Sequence, residues 1–334
     1  MLIFYILLLI MTLFFLANLW RGFSLAENVL TWFLLITADI VLVMEAAGLL
    51  GVLNRPAALI LIQLVLTLIG FEVNRIFRIG YPKINPKPLR NYLSAVVNII
   101  RSNKLLSLFA VLVQAVYVFE AILTIRFPQN LSDNLYNHLS RIGFWLQQGS
   151  LKHYTGFSPI GTFYPYNNSL LATLPIVFLK TDRFVGLVQY SAAIMAAVAI
   201  YLLAEKLGFS RKSSAIVALL FLTYPIILFE AITVQNDLLA ACFCICAFAF
   251  LVTGFEKDRS MYLIISTLSL ALALGTNQYT LFALPGYALL LMYYIFAKRQ
   301  VRRIWKWLAV MAVFTLLVGS YSYLQNAVVL GNPL

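Results

Sequence analysis

The residues able to do acid–base chemistry in this chain gather in two short polar stretches. The first reads Arg126-Phe-Pro-Gln-Asn-Leu-Ser-Asp133-Asn-Leu-Tyr-Asn-His138-Leu-Ser-Arg141 and continues through Trp145 to Ser150, Lys152, His153 and Tyr154. It holds both histidines of the protein. The second is Glu230-Ala-Ile-Thr-Val-Gln-Asn236-Asp237. A carboxylate such as Asp133, held near a bound hydroxyl, can take its proton as the oxygen attacks an activated carbon. Asp133 and Asp237 with flanking Asn, His and Arg make a polar site, or a weak divalent-metal site. Each aspartate also has a plainer reading. Asp133 stands directly before a predicted helix and Asp237 opens a predicted span, so either carboxylate could cap free amide groups.

The elements that must position these residues are membrane helices. Of the 334 residues, 62% are hydrophobic and 11% charged, against about 25% charged in a soluble domain. Mean hydropathy is +0.91. Apolar runs of about 20 residues, each able to cross a ~30 Å hydrocarbon layer as a helix, recur along the chain. Backbone polar groups in lipid must be satisfied internally, so these runs read as helices. The fold class is all-α: a polytopic transmembrane bundle of about ten spans, near 2–20, 29–53, 57–74, 104–125, 183–205, 214–231, 238–255, 261–276, 280–297 and 307–325. The first run has no basic flank or small-residue cleavage site, and reads as a retained span.

Charge orients the bundle. Alternating the spans puts 18 of the 24 Lys and Arg in loops on one side, chiefly 75–104, 206–212, 257–259 and 298–306. By the positive-inside rule that side is cytoplasmic, and loop 126–182 is external. The net charge of +12 is then a matter of retention and contact with anionic membrane lipids, not of nucleic acid. The expected location is the plasma (inner) membrane.

Residues 1–74 form a three-span unit and 75–103 a basic, proline-punctuated linker; 104–334 form the core that carries both polar stretches. Asp39 and Glu45 lie inside a span of the first unit, where packing is the favoured reading. Cys242, Cys244 and Cys246 do not converge on a metal and read as small apolar residues. Within loop 126–182, Leu135, Leu139, Ile142 and Leu146 make one helical stripe. A helix over 134–148, too short to span, should lie along the membrane surface with Asn137 and Arg141 pointing away from the stripe. A second amphipathic stretch runs from Ser169 to Leu179. The chain has no phosphate-cradling glycine loop and no nucleophile elbow, which argues against a nucleotide substrate.

At these residues the chain resembles the GT-C superfamily of membrane glycosyltransferases, in the group related to protein O-mannosyltransferases. The resemblance rests on Asn130 through Asp133, His138-Leu139, Arg141, Trp145-Leu146-Gln147, Ser150 and His153-Tyr154. It continues in Thr233-Val-Gln235-Asn236-Asp237 and in Asn326 with Gly331-Asn332-Pro333-Leu334, and covers roughly 104–334. It implies a GT-C-like fold and transfer of a sugar from a polyprenyl-phosphate carrier to a glycan, lipid or protein acceptor outside the cytoplasm, usually with inversion. Asp133 would be the catalytic base or acceptor-positioning acid, and Asp237 the second-loop acid. Arg141, and less strongly Lys152, would meet the departing phosphate. His138, His153 and Asn236 would bind substrate. No cofactor is required, a divalent metal on Asp133 and Asp237 being the one candidate. Asn137 and Asn277 depart from the group's Tyr and Lys, and the chain is expected to be a fragment of a longer protein. The rival readings are a transporter or flippase of lipid-linked saccharides and an O-antigen-type polymerase or ligase. Polar residues collected in an outer loop, with no internal repeat, favour the transferase.

The orientation has a direct check. In cysteine-accessibility labelling, a cysteine replacing Lys152 should react from outside, whereas one replacing Arg302 should react only after permeabilisation. The reverse pattern would overturn the topology.

Overall fold

The computed structural model is helical, and describes residues 1–82, 103–154, 159–297 and 304–334. Linker positions 83–102 and basic residues 298–303 lie outside the described residues. Among the described residues, seven helices are long and apolar enough to cross a membrane, and two bent pairs bring the number to nine. The first three are α1 (Leu2–Leu16, extended to Trp20 by a 3-10 turn), α2 (Leu25–Leu49) and α3 (Pro56–Phe77). Then come α4 (Lys104–Arg126) and a helical run made of a π turn (Asn134–Leu139) and α5 (Ser140–Gln148). Next are α6 (Pro159–Phe163), α7 (Asn167–Leu179) and α8 (Leu187–Lys206). A bent pair follows, α9 (Arg211–Thr223) with α10 (Pro225–Ala231), leading to α11 (Asp237–Lys257) and α12 (Ser260–Thr276). A 3-10 turn, Gln278–Ala283, opens α13 (Leu284–Ala297). Last are α14 (Ile304–Phe314), a second π turn (Thr315–Gly319) and α15 (Tyr321–Leu330).

Two predicted spans are not straight. Segment 214–231 bends by 66° between α9 and α10. The cause is local: a residue before proline is driven out of the α region, and Tyr224 before Pro225 has φ −63° and ψ 130°. Segment 307–325 bends by 72° after the second π turn, where Ser320 leaves helical geometry at φ −112°, ψ −7°. The predicted span 261–276 is α12, 17 residues long and almost wholly enclosed by other helices.

The N-terminal unit is built into the core. Helix α2 packs against α7, α8 and α12. At its start Ser24 and Glu27 form a reciprocal capping box, which also fixes the Glu27 carboxylate. That buried carboxylate pairs with Lys257 Nζ at 2.7 Å and accepts from Tyr262 Oη at 3.0 Å, while Phe23 stacks on Tyr262 at 4.2 Å. Past the other end of α2, Leu53 N donates to Gly149 O at 2.9 Å and Asn54 Nδ2 to Leu146 O at 2.9 Å. Of the two intramembrane acids, Asp39 accepts from Gln63 Nε2 at 3.3 Å, and Gln63 also donates to Thr12. Glu45 instead lies within electrostatic reach of Tyr166 and Tyr321.

Helix α12 and the second π turn meet through two glycines. A Cβ on Gly275 would stand 2.5 Å from Val318 O, and one on Gly319 would stand 2.6 Å from Ala271 O. Small residues let backbones approach this closely where lipid supplies no hydrophobic drive. Neither obstacle is a side chain that can swing away. Gly319→Ala should therefore destabilise the folded protein by about 2 kcal/mol, read as a lower unfolding midpoint in detergent. An unchanged midpoint would mean the contact is looser than described.

Candidate functional site

Asp133 is already helical, with φ −61° and ψ −43°, and makes no side-chain capping bond. The capping reading is thereby set aside. Its Oδ1 accepts from Asn137 Nδ2, and its Oδ2 lies 3.7 Å from His138 Nε2. The π turn explains the second approach. At 3.6 residues per turn, residues five apart point about 140° away from each other. A π turn carries an extra residue, so positions i and i+5 come onto one face. Asp133 and His138 are five apart, and the turn spans Asn134 to Leu139.

The same run turns its polar side into the protein. Asn134, Asn137, His138 and Arg141 are buried, whereas Leu135 and Tyr136 are exposed. The predicted apolar stripe holds for Leu139, Ile142 and Leu146, which pack with Ala172, Val185 and Val234. Leu135 falls off it because the π turn shifts the register.

Arg141 points away from the stripe, but into a bed of protein, and is 2% exposed. Its Nε donates to Gly161 O, its Nη2 to Tyr164 O at 3.3 Å and its Nη1 to Ser169 Oγ at 3.5 Å. Its guanidinium carbon lies 5.7 Å from the Trp145 ring centre and 5.4 Å from that of Tyr166. The side chain thus clasps segment 161–169 to α5. Burial, and then the Arg141 charge, push the His138 pKa down to about 4 against the pull of Asp133, so the imidazole is neutral at pH 7. Its Nδ1 and Asn137 Oδ1 are buried with no partner among the described residues.

The second stretch leaves α10 at Ala231 and enters α11 at Asp237, with irregular backbone between. Side-chain amides satisfy that backbone. Gln129 Nε2 donates to Ile232 O at 3.1 Å and Asn168 Nδ2 to Val234 O at 2.7 Å, and Gln189 Oε1 accepts from Leu239 N at 2.8 Å. Asn236 Nδ2 donates to Thr276 O at 2.7 Å. Asn236, not Asp237, occupies the cap position, and its side chain makes no capping bond. The exposed Asp237 carboxylate instead accepts from Asn277 Nδ2 at 2.8 Å, and the same amide reaches Asn236 Oδ1 at 3.2 Å.

The two stretches meet. Asp133 and Asp237 lie within electrostatic reach of each other, and Glu230 within reach of both. Beyond α5, Lys152 and His153 differ in how they are held. Lys152 is exposed, and its carbonyl accepts from Gln148 Nε2 at 2.7 Å. His153 Nε2 is 3.0 Å from Asn326 Oδ1, and Gln325 Nε2 donates to Leu151 O at 2.7 Å, so this part of the loop seats α15. Burial lowers the His153 pKa, with Asn326 opposing. Among the described residues no group of three or more His, Cys, Asp and Glu is placed to hold a metal ion.

Residues 165–323 match the family model of dolichyl-phosphate-mannose-protein mannosyltransferases. That segment is thus similar to membrane glycosyltransferases of mannosyltransferase type, and it includes Asn236, Asp237 and Asn277. Asp133, His138, Arg141, Lys152 and His153 lie ahead of it. Searches of curated proteins and of solved structures give no match.

Sequence reasoning names Glu230 in the second polar stretch without a role for it, and does not foresee the bonding of Asn277. The signal for Glu230 is the Tyr224-Pro225 pair, which breaks a span shortly before an acidic residue. The π turn has its own check. Deleting the exposed Tyr136 should convert it to α-helix and swing Asp133 away from His138. The protein should still fold, with sugar transfer reduced at least ~10²-fold. Transfer at the unaltered rate would show that the turn does not serve the site.

Proposed function

We propose that this protein transfers a sugar from a polyprenyl-phosphate carrier to an acceptor hydroxyl, with inversion, on the membrane face opposite the basic loops. The observation that carries the reading is that the two polar stretches meet, Gln129 Nε2 donating to Ile232 O at 3.1 Å and Ile142 packing with Val234. Asp133 and Asp237 lie within electrostatic reach of each other, and neither Asp133 nor the cap residue Asn236 makes a side-chain capping bond. Asp133 is the base. The acceptor oxygen attacks the anomeric carbon, the bond from that carbon to the phosphate oxygen breaks, and the hydroxyl proton passes to Asp133. One displacement inverts the centre. Asn137 and neutral His138 hold the Asp133 carboxylate, while Asp237, Asn236 and Asn277 present carboxylate and amide groups suited to sugar hydroxyls. The Arg141 guanidinium is committed to the loop, so Lys152, exposed nearby in sequence, is the cation for an arriving phosphate, with His153 beside it. The acceptor is a glycan, lipid or protein, and the membrane is the plasma membrane, with the site facing away from the cytoplasm as the basic loops imply.

Broken spans also occur at the substrate sites of transporters, and α9–α10 is one such span. The match of residues 165–323 to a transferase family favours transfer over transport.

Asp133→Asn tests the base. The amide keeps the shape and loses the proton acceptor. With the purified chain, polyprenyl-phosphate sugars and a membrane extract as acceptor, sugar release should fall ~10²–10⁴-fold with unchanged thermal unfolding. Release at the wild-type rate would remove Asp133 from the chemistry.

A further inference from the structure

The three N-terminal helices share a polar knot that the transfer chemistry does not use. Thr12 on α1, Asp39 on α2, and Gln63 and Thr67 on α3 meet inside the bundle, each more than nine-tenths buried. The Gln63 amide joins them, its Nε2 donating to Thr12 Oγ1 at 3.2 Å and to Asp39 Oδ2 at 3.3 Å. Thr12 Oγ1 and Thr67 Oγ1 stand 2.9 Å apart. Each threonine has one proton and a backbone carbonyl four residues back to receive it: Leu8 O at 3.0 Å for Thr12, Gln63 O at 2.8 Å for Thr67. The knot is therefore rich in lone pairs and poor in donors.

Two of its acceptors meet no donor. Asp39 Oδ1 and Gln63 Oε1 are buried without a partner among the described residues. Covalent geometry keeps both at the contact between these side chains, since Oδ1 shares its carbon with Oδ2, and Oε1 shares its carbon with Nε2. A further buried oxygen without a partner, Tyr5 Oη, comes from the Thr12 face of α1, two turns earlier. Nor is the carboxylate balanced by a cation. None of the ion pairs among the described residues includes Asp39, and an unpaired charge within a span is costly.

We propose that this knot binds a sodium ion, held by Asp39 Oδ1 and Gln63 Oε1, with the hydroxyl oxygens of Thr12 and Thr67 as further ligands. Hard cations take carboxylate and amide oxygens, and every ligand offered here is oxygen. The charge decides the valence. One carboxylate balances one monovalent ion, whereas a divalent ion leaves net positive charge among apolar helices. A water molecule could meet both orphan acceptors, but it leaves the carboxylate charge in place. The space is small, with the Asp39 and Gln63 head groups 3.3 Å apart, which favours sodium over the larger potassium. The ion ties α2 to α1 and α3, and α2 in turn packs against α7, α8 and α12 of the core.

The test is thermal unfolding of the purified full chain in detergent, in sodium, potassium or choline chloride at one pH and one ionic strength. At a roughly hundredfold excess over its dissociation constant, sodium should raise the unfolding midpoint by about 5 °C over choline. Potassium should raise it less. Asp39→Asn keeps the size and loses the charge, and should unfold at one midpoint in all three salts. Gln63→Leu removes the amide oxygen, and should need at least ~10-fold more sodium for the same shift; it carries the test if Asp39→Asn does not fold. Equal wild-type midpoints in the three salts overturn the proposal, as does a sodium shift that persists unaltered in the variants. A midpoint that follows pH and not the cation means that Asp39 holds a proton, and overturns it too. No sugar transfer enters the readout, so the outcome is independent of the role given to Asp133.

Discussion

The whole arrangement depends on satisfying irregular backbone between membrane helices. Segment 232–236 makes few backbone bonds, Thr233 N to Glu230 O at its start and Ala240 N to Asn236 O at its end, and an unpaired peptide group beside lipid is costly. Side-chain amides take over that work: Gln129, Asn168 and Gln189 each bond this segment or the first turn of α11, and each comes from a different element. Because those elements are α8, α7 and the loop after α4, fixing this one segment also fixes where they stand. Asp237 inherits its position from that lattice of amides, and Asn277 draws α12's end into it.

A second constraint acts on the loop side. Arg141 ties α5 to segment 161–169, and the N-terminal unit supports the same loop through Leu53 and Asn54. With the helix axis held, the π turn is free to do one thing only, which is to rotate Asp133 onto the His138 face. The apolar contacts of Ile142 with Ala172, Val185 and Val234 anchor the turn from the other side. Positioning of the carboxylate is therefore a product of packing at some distance from it.

Much of this was legible in the sequence, and the limits have physical causes. Apolar periodicity and charge placement disclose helices, spans and a polar loop because those are local properties. The sequence puts Asp133 and Asp237 in two polar stretches, and those stretches are in contact through Gln129 and Ile142. The π turn was not legible, since one extra residue per turn leaves no mark on composition. Arg141 was read as a phosphate ligand because its type suits one; only three-dimensional neighbours show its guanidinium already in use. Helix α2 was assigned to a separate unit because its contacts with Lys257 and Gly149 join residues far apart in the chain, which no window along the sequence can see. Glu230 ends a predicted span, and only the break at Tyr224-Pro225 shows that it sits on a short separate helix, α10.

The pairing of Glu27 with Lys257 has a consequence for biosynthesis. The two residues are 230 positions apart, and the chain is made from its N-terminus at about 5–20 residues per second. Helix α2 therefore enters the membrane many seconds before its partner exists, bearing an acid that the finished protein buries almost completely. In that interval the acid is unpaired, and the nascent chain is a substrate for whatever machinery shelters or discards unfinished membrane proteins. Arrival of α11 and then α12 ends the exposure, through the ammonium of Lys257 and the hydroxyl of Tyr262. The clasp thus forms only once the first and later parts of the chain have both inserted.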